Sequence, residues 1–160
     1  SKIMTTGTVI AILGAVIAAL LACMGSARGV GIACEAGNAV VAEDPTKAGK
    51  ALLLEALPGS QGIYGFVTAF MVFMKLGVLG GSLAALSNYQ GWFLFISCLP
   101  IAIVGYFSAI YQGRVCATGM NILAKKPDDS TKGVTAAALV ETYAIFSLLV
   151  SLLLILNFNL

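Results

Sequence analysis

The sequence predicts an all-α membrane protein in which four transmembrane helices form a duplicated helical hairpin. Three observations support this fold class: a scarcity of charged residues, four long apolar stretches, and an internal repeat. Of the 160 residues, 59% are hydrophobic and only 10% are charged, whereas about a quarter of the residues of a soluble domain are charged. The chain therefore lacks the polar surface that a water-soluble globule needs.

Four apolar stretches reach or approach the roughly 20 residues that span a bilayer as a helix. They are Thr8–Gly25, Ile63–Leu86, Trp92–Tyr111 and Val134–Leu156. The first stretch follows Lys2 and loosely fits a cleaved signal peptide. It has a counterpart later in the chain, however, and we therefore expect it to be a structural helix.

An internal repeat appears when the sequence is aligned with itself at an offset of 82 residues. Without a gap, Pro45 then matches Pro127 and Lys50 matches Lys132, within two short polar segments. These matches weigh more than matched Gly, Ala or Leu, which apolar helices share through composition alone. The repeat predicts a first hairpin over residues 1–80 and a second over residues 81–160. Their polar loops are expected at about 43–50 and about 125–133.

The distribution of basic residues predicts the orientation of these loops. An even number of spans places both polar loops on one side of the membrane. Only Lys2 and Lys75 belong to the opposite side. The basic residues on the loop side are Arg28, Lys47, Lys50, Arg114, Lys125, Lys126 and Lys132. Because Lys and Arg accumulate in cytoplasmic loops, we expect a multi-pass protein of the cell membrane with its polar loops in the cytoplasm.

The composition also excludes several classes of function. The net charge of +2 is too small and too scattered for a nucleic-acid partner. Histidine is absent, which removes the commonest general base. The four cysteines have no CxxC spacing, so we expect small buried apolar side chains. The glycine-rich first and third spans are expected to form a closely packed inner layer, with the second and fourth spans outside them.

Glu141 is the acidic residue that the sequence places deepest in the membrane. It follows Lys132 by nine residues, or roughly 14 Å along a helix, which lies near the middle of a hydrocarbon layer roughly 30 Å thick. An ionised, unpaired carboxylate there costs at least a few kcal/mol, and no basic residue lies at matching depth. We therefore expect Glu141 to be protonated or to hold a mobile cation. Its repeat equivalent is Gly59, which leaves one such acid for two hairpins.

Polar groups of the second and third spans are expected at the same depth as Glu141. They are Leu57, Ser60, Gln61 and Tyr64 on one face of the second span and Gln112 on the third span. Thr142 follows Glu141 directly on the fourth span. Pro58 disrupts the second span and releases carbonyl oxygens near it. A carboxylate, a hydroxyl, two amide oxygens and a carbonyl suit a hard cation such as Na⁺. The alternative is hydrogen bonding between helices without an ion.

Four sequence motifs resemble the proteolipid (K or c subunit) of V-type rotary ATPases in its duplicated four-helix form. The motifs are LPGSQGIYGF at Leu57–Phe66, YQGRV at Tyr111–Val115, LAKKP at Leu123–Pro127 and LVETYAI at Leu139–Ile145. The resemblance covers essentially the whole chain. It implies a homo-oligomeric ring of identical protomers that turns in the membrane as a soluble ATPase head hydrolyses ATP.

The resemblance also implies a ligand set. In the sodium-carrying branch of the family, the ion is held by positions that match Leu57, Ser60, Gln61, Gln112 and Glu141, while Tyr64 bonds the glutamate. Ser60 stands where that branch often has threonine. Because serine also has a hydroxyl group, the resemblance still implies Na⁺ at these five residues and no organic cofactor.

The implied partners are identical protomers, lipid, and a stator membrane subunit whose arginine displaces the cation. Central-stalk proteins are expected to contact the cytoplasmic loops. The sequence has no GxxxxGKS or GxxxxGKT phosphate-binding loop, so we expect ATP hydrolysis in another subunit and no catalytic residue in this chain. Three alternatives stay open from the sequence: the same ring carrying H⁺, a small four-helix exporter of cationic substrates, and a structural membrane oligomer.

Overall fold

A computed structural model describes residues 4–160 of the chain, in which five α-helices form four spans. The helices are α1 (Thr6–Glu43), α2 (Ala48–Ala56), α3 (Ser60–Leu76), α4 (Asn88–Lys125) and α5 (Thr131–Leu156). The first, third and fourth spans contain α1, α4 and α5, and the second span contains α2 and α3. Each of the four is long and apolar enough to cross a membrane. The predicted all-α fold class with four transmembrane helices is therefore confirmed.

Hydrogen bonds at one end of the molecule hold the starts of α1 and α4 together. Thr5 caps α1 by accepting from the Thr8 backbone N–H at 3.2 Å, and its own hydroxyl donates to the Leu86 carbonyl at 2.7 Å. Ser87 caps α4 in a reciprocal pair with Gln90. Since both helices begin at this end and pack on each other, α1 and α4 run parallel.

Glycine allows α1 and α4 to approach each other closely. A Cβ atom at Gly91 would overlap the backbone of Gly7, and a Cβ atom at Gly113 would overlap the backbone of Gly29. Small residues at such crossings let helix backbones make the close packing that drives helix association in lipid. The two glycine-rich spans thus form the central pair, while α3 packs beside α1 and α5 beside α4.

The second span breaks where proline was predicted to disrupt it. Residues Leu57–Gly59 form a short 3₁₀ turn between α2 and α3, with Pro58 inside the turn. Proline lacks a backbone N–H and its ring clashes with the carbonyl one turn earlier. In this turn the Leu57 carbonyl accepts from the Ser60 backbone N–H, and it also lies 3.0 Å from the Ser60 hydroxyl.

The first polar connection is shorter than the predicted loop at about 43–50. α1 continues to Glu43 and α2 begins at Ala48, so only Asp44 and a 3₁₀ turn over Pro45–Lys47 separate them. The Asp44 side chain caps this turn, and proline occupies its first position, where no backbone N–H donor is required. Capping and proline together allow the chain to reverse direction over this short connection.

The second polar connection has the same form inside the predicted loop at about 125–133. Lys126 is followed by a 3₁₀ turn over Pro127–Asp129, after which α5 begins. The Lys50 ammonium group donates to the Pro127 carbonyl at 2.9 Å. The two polar turns therefore lie together at one end of the molecule.

The structure shows the position of one of the two basic residues that were predicted to lie on the side opposite the polar loops. Lys75 lies near the C-terminal end of α3 and donates to the Phe158 carbonyl, which follows α5. Both residues therefore lie at the ends of the second and fourth spans that are opposite the polar turns. Lys2, the other cation assigned to that side, lies outside the described residues.

Replacing Gly113 with alanine tests the close α1–α4 contact. The added Cβ would meet the Gly29 backbone, so we expect the Gly113→Ala chain to lose about 1–3 kcal/mol of unfolding free energy. Gly49→Ala is the control, because open space surrounds that helical glycine and alanine favours a helix. Denaturation of the two variants in detergent, followed by circular dichroism, measures the difference; equal midpoints would show that the helices have room for a methyl group.

Candidate ion-binding site

Glu141 lies in the middle of the fourth span. It follows the first residue of α5, Thr131, by ten positions, or about 15 Å along the helix axis, and it is only partly exposed. Among residues 4–160, the ion pairs are Asp44–Lys47 and Asp129–Lys132, both at the polar turns. No described basic side chain therefore neutralises this carboxylate.

Three side chains from two other spans donate hydrogen bonds to the Glu141 carboxylate or lie within donating distance of it. The Tyr64 hydroxyl donates to Oε1 at 2.7 Å, and the Gln112 amide nitrogen donates to Oε2 at 2.7 Å. The Ser60 hydroxyl lies 2.6 Å from Oε1 and 2.8 Å from Oε2. Such donors hold an ionised carboxylate in one orientation without cancelling its charge.

More oxygen atoms surround Ser60 than its hydrogen can serve. Besides both carboxylate oxygens, the Leu57 carbonyl lies 3.0 Å away and the Gln61 Oε1 atom 3.1 Å away from Ser60 Oγ. A serine hydroxyl donates one hydrogen, so it satisfies one of these four oxygens at a time. The carboxylate oxygens also accept from Tyr64 and Gln112, and the Leu57 carbonyl accepts from the Ser60 backbone N–H, so oxygens of three residues converge on this one hydroxyl. This arrangement favours a shared positive charge.

The two glutamine amides are linked to each other and to their surroundings. Both Gln61 and Gln112 are fully buried, and the Gln61 amide nitrogen donates to Gln112 Oε1 at 2.8 Å. It also donates to the Ser108 hydroxyl at 3.2 Å, while the Gln112 nitrogen donates to the Ala137 carbonyl at 3.0 Å. Together with the bond from Gln112 to Glu141, these contacts give every amide hydrogen of the pair an acceptor.

The structure brings together most of the residues singled out in the sequence. Ser60 and Tyr64 of the second span and Gln112 of the third contact Glu141 directly. Leu57 and Gln61 contact Ser60, and Gln61 also bonds Gln112. Thr142 does not join them: its hydroxyl donates to the Ala138 carbonyl of its own helix at 3.3 Å. Adjacent residues on a helix point about 100° apart, so Thr142 faces away from Ser60.

Two contributors were not predicted from the sequence. Ser108 accepts from Gln61, and the Ala137 carbonyl accepts from Gln112. A spacing signal did exist, because Ser108 precedes Gln112 by four residues and Ala137 precedes Glu141 by four. Residues four apart share a helix face, which places each beside a residue already singled out.

A shallow groove of about 450 Å³ covers the site between the second and fourth spans. Ser60, Tyr64 and Glu141 contribute to its polar lining, and Leu53 and Ile63 are among its apolar walls. The carboxylate is thus close to the outer surface of the protomer. A small ion can reach it there without any opening of the helix bundle.

The first hairpin carries no equivalent site. At an offset of 82 residues, Gly59 corresponds to Glu141 and Val30 corresponds to Gln112. A Cβ atom at Gly59 would lie 3.8 Å from the Val30 side chain, so the pair meets as Glu141 and Gln112 meet. Neither residue offers an oxygen from its side chain, so this position of the first hairpin has no counterpart of the Glu141–Gln112 pair.

Comparison with known proteins agrees with the repeat. The family model for the C subunit of ATP synthase matches the chain twice, over residues 13–72 and 95–154, and the two matches begin at the 82-residue offset found above. V-type sodium ATPase subunit K of Enterococcus hirae is 48% identical over 151 residues, covering 94% of this chain and 93% of that protein. A-type ATP synthase subunit K of Methanocaldococcus jannaschii is 37% identical over 147 residues, covering 90% of this chain and 62% of that protein.

These relationships choose among the alternatives that the sequence left open. The small four-helix exporter and the purely structural oligomer lie outside a family of membrane subunits of rotary ATPases, whereas the resemblance carried by the four motifs is confirmed. The chain therefore belongs to the ATP synthase C-subunit family, as a non-catalytic, multi-pass membrane protein in which the helical hairpin is duplicated.

Proposed function

We propose that the chain is the ion-carrying rotor subunit of a V-type ATPase and translocates Na⁺ by binding and releasing it at Glu141. The observation that carries the proposal is the convergence of carboxylate, amide and carbonyl oxygens on the Ser60 hydroxyl beside Glu141. Four oxygens lie within 3.1 Å of its hydroxyl. A relative that is 48% identical is named as a subunit of a sodium ATPase, which supports the same ion for this chain.

The proposed Na⁺ ligands are oxygens of Leu57, Ser60, Gln61, Gln112 and Glu141. A transferred proton needs only one donor atom and one acceptor, so the convergence of five oxygen-bearing groups exceeds what H⁺ requires. Carbonyl, hydroxyl and carboxylate oxygens are the ligands that hard cations prefer. Tyr64 is outside this set, since its hydroxyl donates to Glu141 and stabilises the carboxylate when the ion leaves.

The net charge of the site, which depends on whether a cation is bound, determines whether the site can face lipid. With Na⁺ bound to ionised Glu141 the site is neutral, and a neutral site can face hydrocarbon at far lower cost than a bare carboxylate. We propose that a stator subunit supplies an arginine that displaces the ion, after which Glu141 releases it into an aqueous path. The same carboxylate thus exchanges one positive partner for another and is never left unpaired in lipid.

The proposed assembly is a homo-oligomeric ring in the membrane, surrounded by lipid and turned by a soluble head that hydrolyses ATP. Rotation carries each Glu141 in turn to the stator. The polar turns at one end of the molecule are the proposed contact for the central stalk. Because the basic residues accumulate at that end, we place it in the cytoplasm.

Carbodiimide labelling tests the proposed ion at the proposed residue. Carbodiimides modify protonated carboxyl groups, so we expect Glu141 to be labelled in the purified chain at acidic pH. We expect NaCl, but not KCl, to protect it, because bound Na⁺ displaces the proton. Mass spectrometry of peptides, at a series of pH values, measures the labelled fraction.

The same experiment contains its controls. Glu55 lies on α2, closer to the polar turns, and any labelling there should be indifferent to Na⁺. Glu141→Gln removes the labelled peptide signal. If Glu141 is labelled and sodium makes no difference, the ring carries H⁺ and the surrounding groups form only a hydrogen-bonded shell.

A pair of hydroxyl deletions tests the ligand set. Ser60→Ala removes an oxygen that lies within 2.8 Å of both carboxylate oxygens, so we expect the NaCl concentration for half-protection to rise roughly ten- to hundredfold. Thr142→Ala removes a hydroxyl bonded to its own helix and should leave that concentration unchanged. A similar rise in both variants would contradict the proposed geometry.

A further inference from the structure

The Na⁺ site imposes a requirement on its two glutamines. Each amide has an oxygen that can bind a cation and a nitrogen whose hydrogens repel one. The two ends have nearly the same size and shape, so shape alone does not choose between them. Whatever bonds the nitrogen therefore decides whether the oxygen faces the ion.

The amide of Gln112 is oriented from within the site. Its nitrogen donates to the Glu141 carboxylate at 2.7 Å and to the Ala137 backbone carbonyl at 3.0 Å. Both acceptors belong to α5, and neither can act as a donor when the carboxylate is ionised. A reversed amide would place its oxygen against two other oxygens, and this orientation is therefore excluded.

The amide of Gln61 depends on a residue outside the ligand set. Its nitrogen donates to Gln112 Oε1 at 2.8 Å and to the Ser108 hydroxyl at 3.2 Å. The Ser108 hydroxyl lies 3.5 Å from the Val140 carbonyl, to which it directs its own hydrogen. Ser108 thus presents lone pairs to Gln61, and it is only 6% exposed, so water does not compete readily for them.

We propose that Ser108 is a positioning residue for Na⁺, which orients the Gln61 amide so that its oxygen faces the ion. The inference rests on the proposed function, since it assumes that Gln61 is a sodium ligand. It adds a residue that touches neither the ion nor Glu141. A chain of hydrogen bonds from α3 through α4 to α5 transmits the orientation.

Loss of Ser108 has different consequences for the two candidate ions. Without its acceptor, the buried Gln61 nitrogen has an unsatisfied hydrogen, which is costly, and rotation of the amide would turn that nitrogen toward the cation. Na⁺ binding therefore weakens. The Glu141 carboxyl group contacts Ser60, Tyr64 and Gln112, none of which bonds Ser108. Proton binding should therefore be unaffected.

Sodium protection of carbodiimide labelling, measured on the assembled ring, tests whether loss of Ser108 weakens Na⁺ binding and leaves proton binding unchanged. For Ser108→Ala we expect the NaCl concentration for half-protection to rise about five- to thirtyfold, while the pH profile of Glu141 labelling without sodium stays that of the parent chain. A general loosening of the helices would shift both measurements and overturn the positioning role. Ser108→Cys, which keeps a weak acceptor of similar size, should lie between the parent and Ser108→Ala.

Ser97→Ala is the matched control. Ser97 is also buried on α4, but its hydroxyl donates to the Phe93 carbonyl of the same helix at 2.7 Å. Its removal should leave sodium protection and the pH profile unchanged. If the parent chain is protected by Na⁺ and both Ser108 variants are protected equally well, the positioning role is overturned and the proposed function stands. If the parent chain shows no protection, the proposed function fails and this inference fails with it.

Discussion

A carboxylate at the depth of Glu141 cannot remain ionised and alone, and most of the structure around it follows from that constraint. Hydrocarbon offers no water to solvate the charge, and the ion pairs of the described residues lie at the polar turns. A permanent lysine or arginine beside Glu141 would neutralise it, but would also prevent exchange. The site instead offers hydrogen-bond donors and neutral oxygens, an arrangement that suits the proposed mobile cation.

Building such a site from helices requires two kinds of departure from regular packing. The 3₁₀ turn at Pro58 places the Leu57 carbonyl against both the backbone N–H and the hydroxyl of Ser60, a geometry that a regular α-helix does not give. The contact between Gly29 and Gly113 brings α1 and α4 together, and Gln112 directly precedes Gly113 in the chain. Close packing of the central pair therefore sets where Gln112 lies relative to the outer spans.

Much of this arrangement could be predicted from single residues whose chemistry is unusual in a membrane. Glu141 is conspicuous because of its depth, Pro58 because it breaks a helix, and Gln61 and Gln112 because amides are costly in lipid. The length of the polar connections was harder to predict, because a capped 3₁₀ turn and a solvated loop contain the same kinds of polar residue. Asp44 decides between them only through a side-chain bond that depends on the backbone conformation.

Residues that act through another residue could not be predicted for a related reason. Ser108 is an ordinary buried serine in sequence, and such serines commonly bond a carbonyl of their own helix, so its place opposite Gln61 depends on how α3 and α4 pack.

The empty equivalent of the site in the first hairpin shows that its parts depend on one another. Gly59 and Val30 stand in the places of Glu141 and Gln112, and they still face each other. A glutamate at position 59 opposite Val30 would lack the amide that orients it, and a glutamine at position 30 opposite Gly59 would leave its nitrogen without an acceptor. Either polar residue alone costs more in hydrocarbon than both absent together. The carboxylate and its amide partner therefore stabilise each other, which is consistent with two hairpins that share a single acid at this depth.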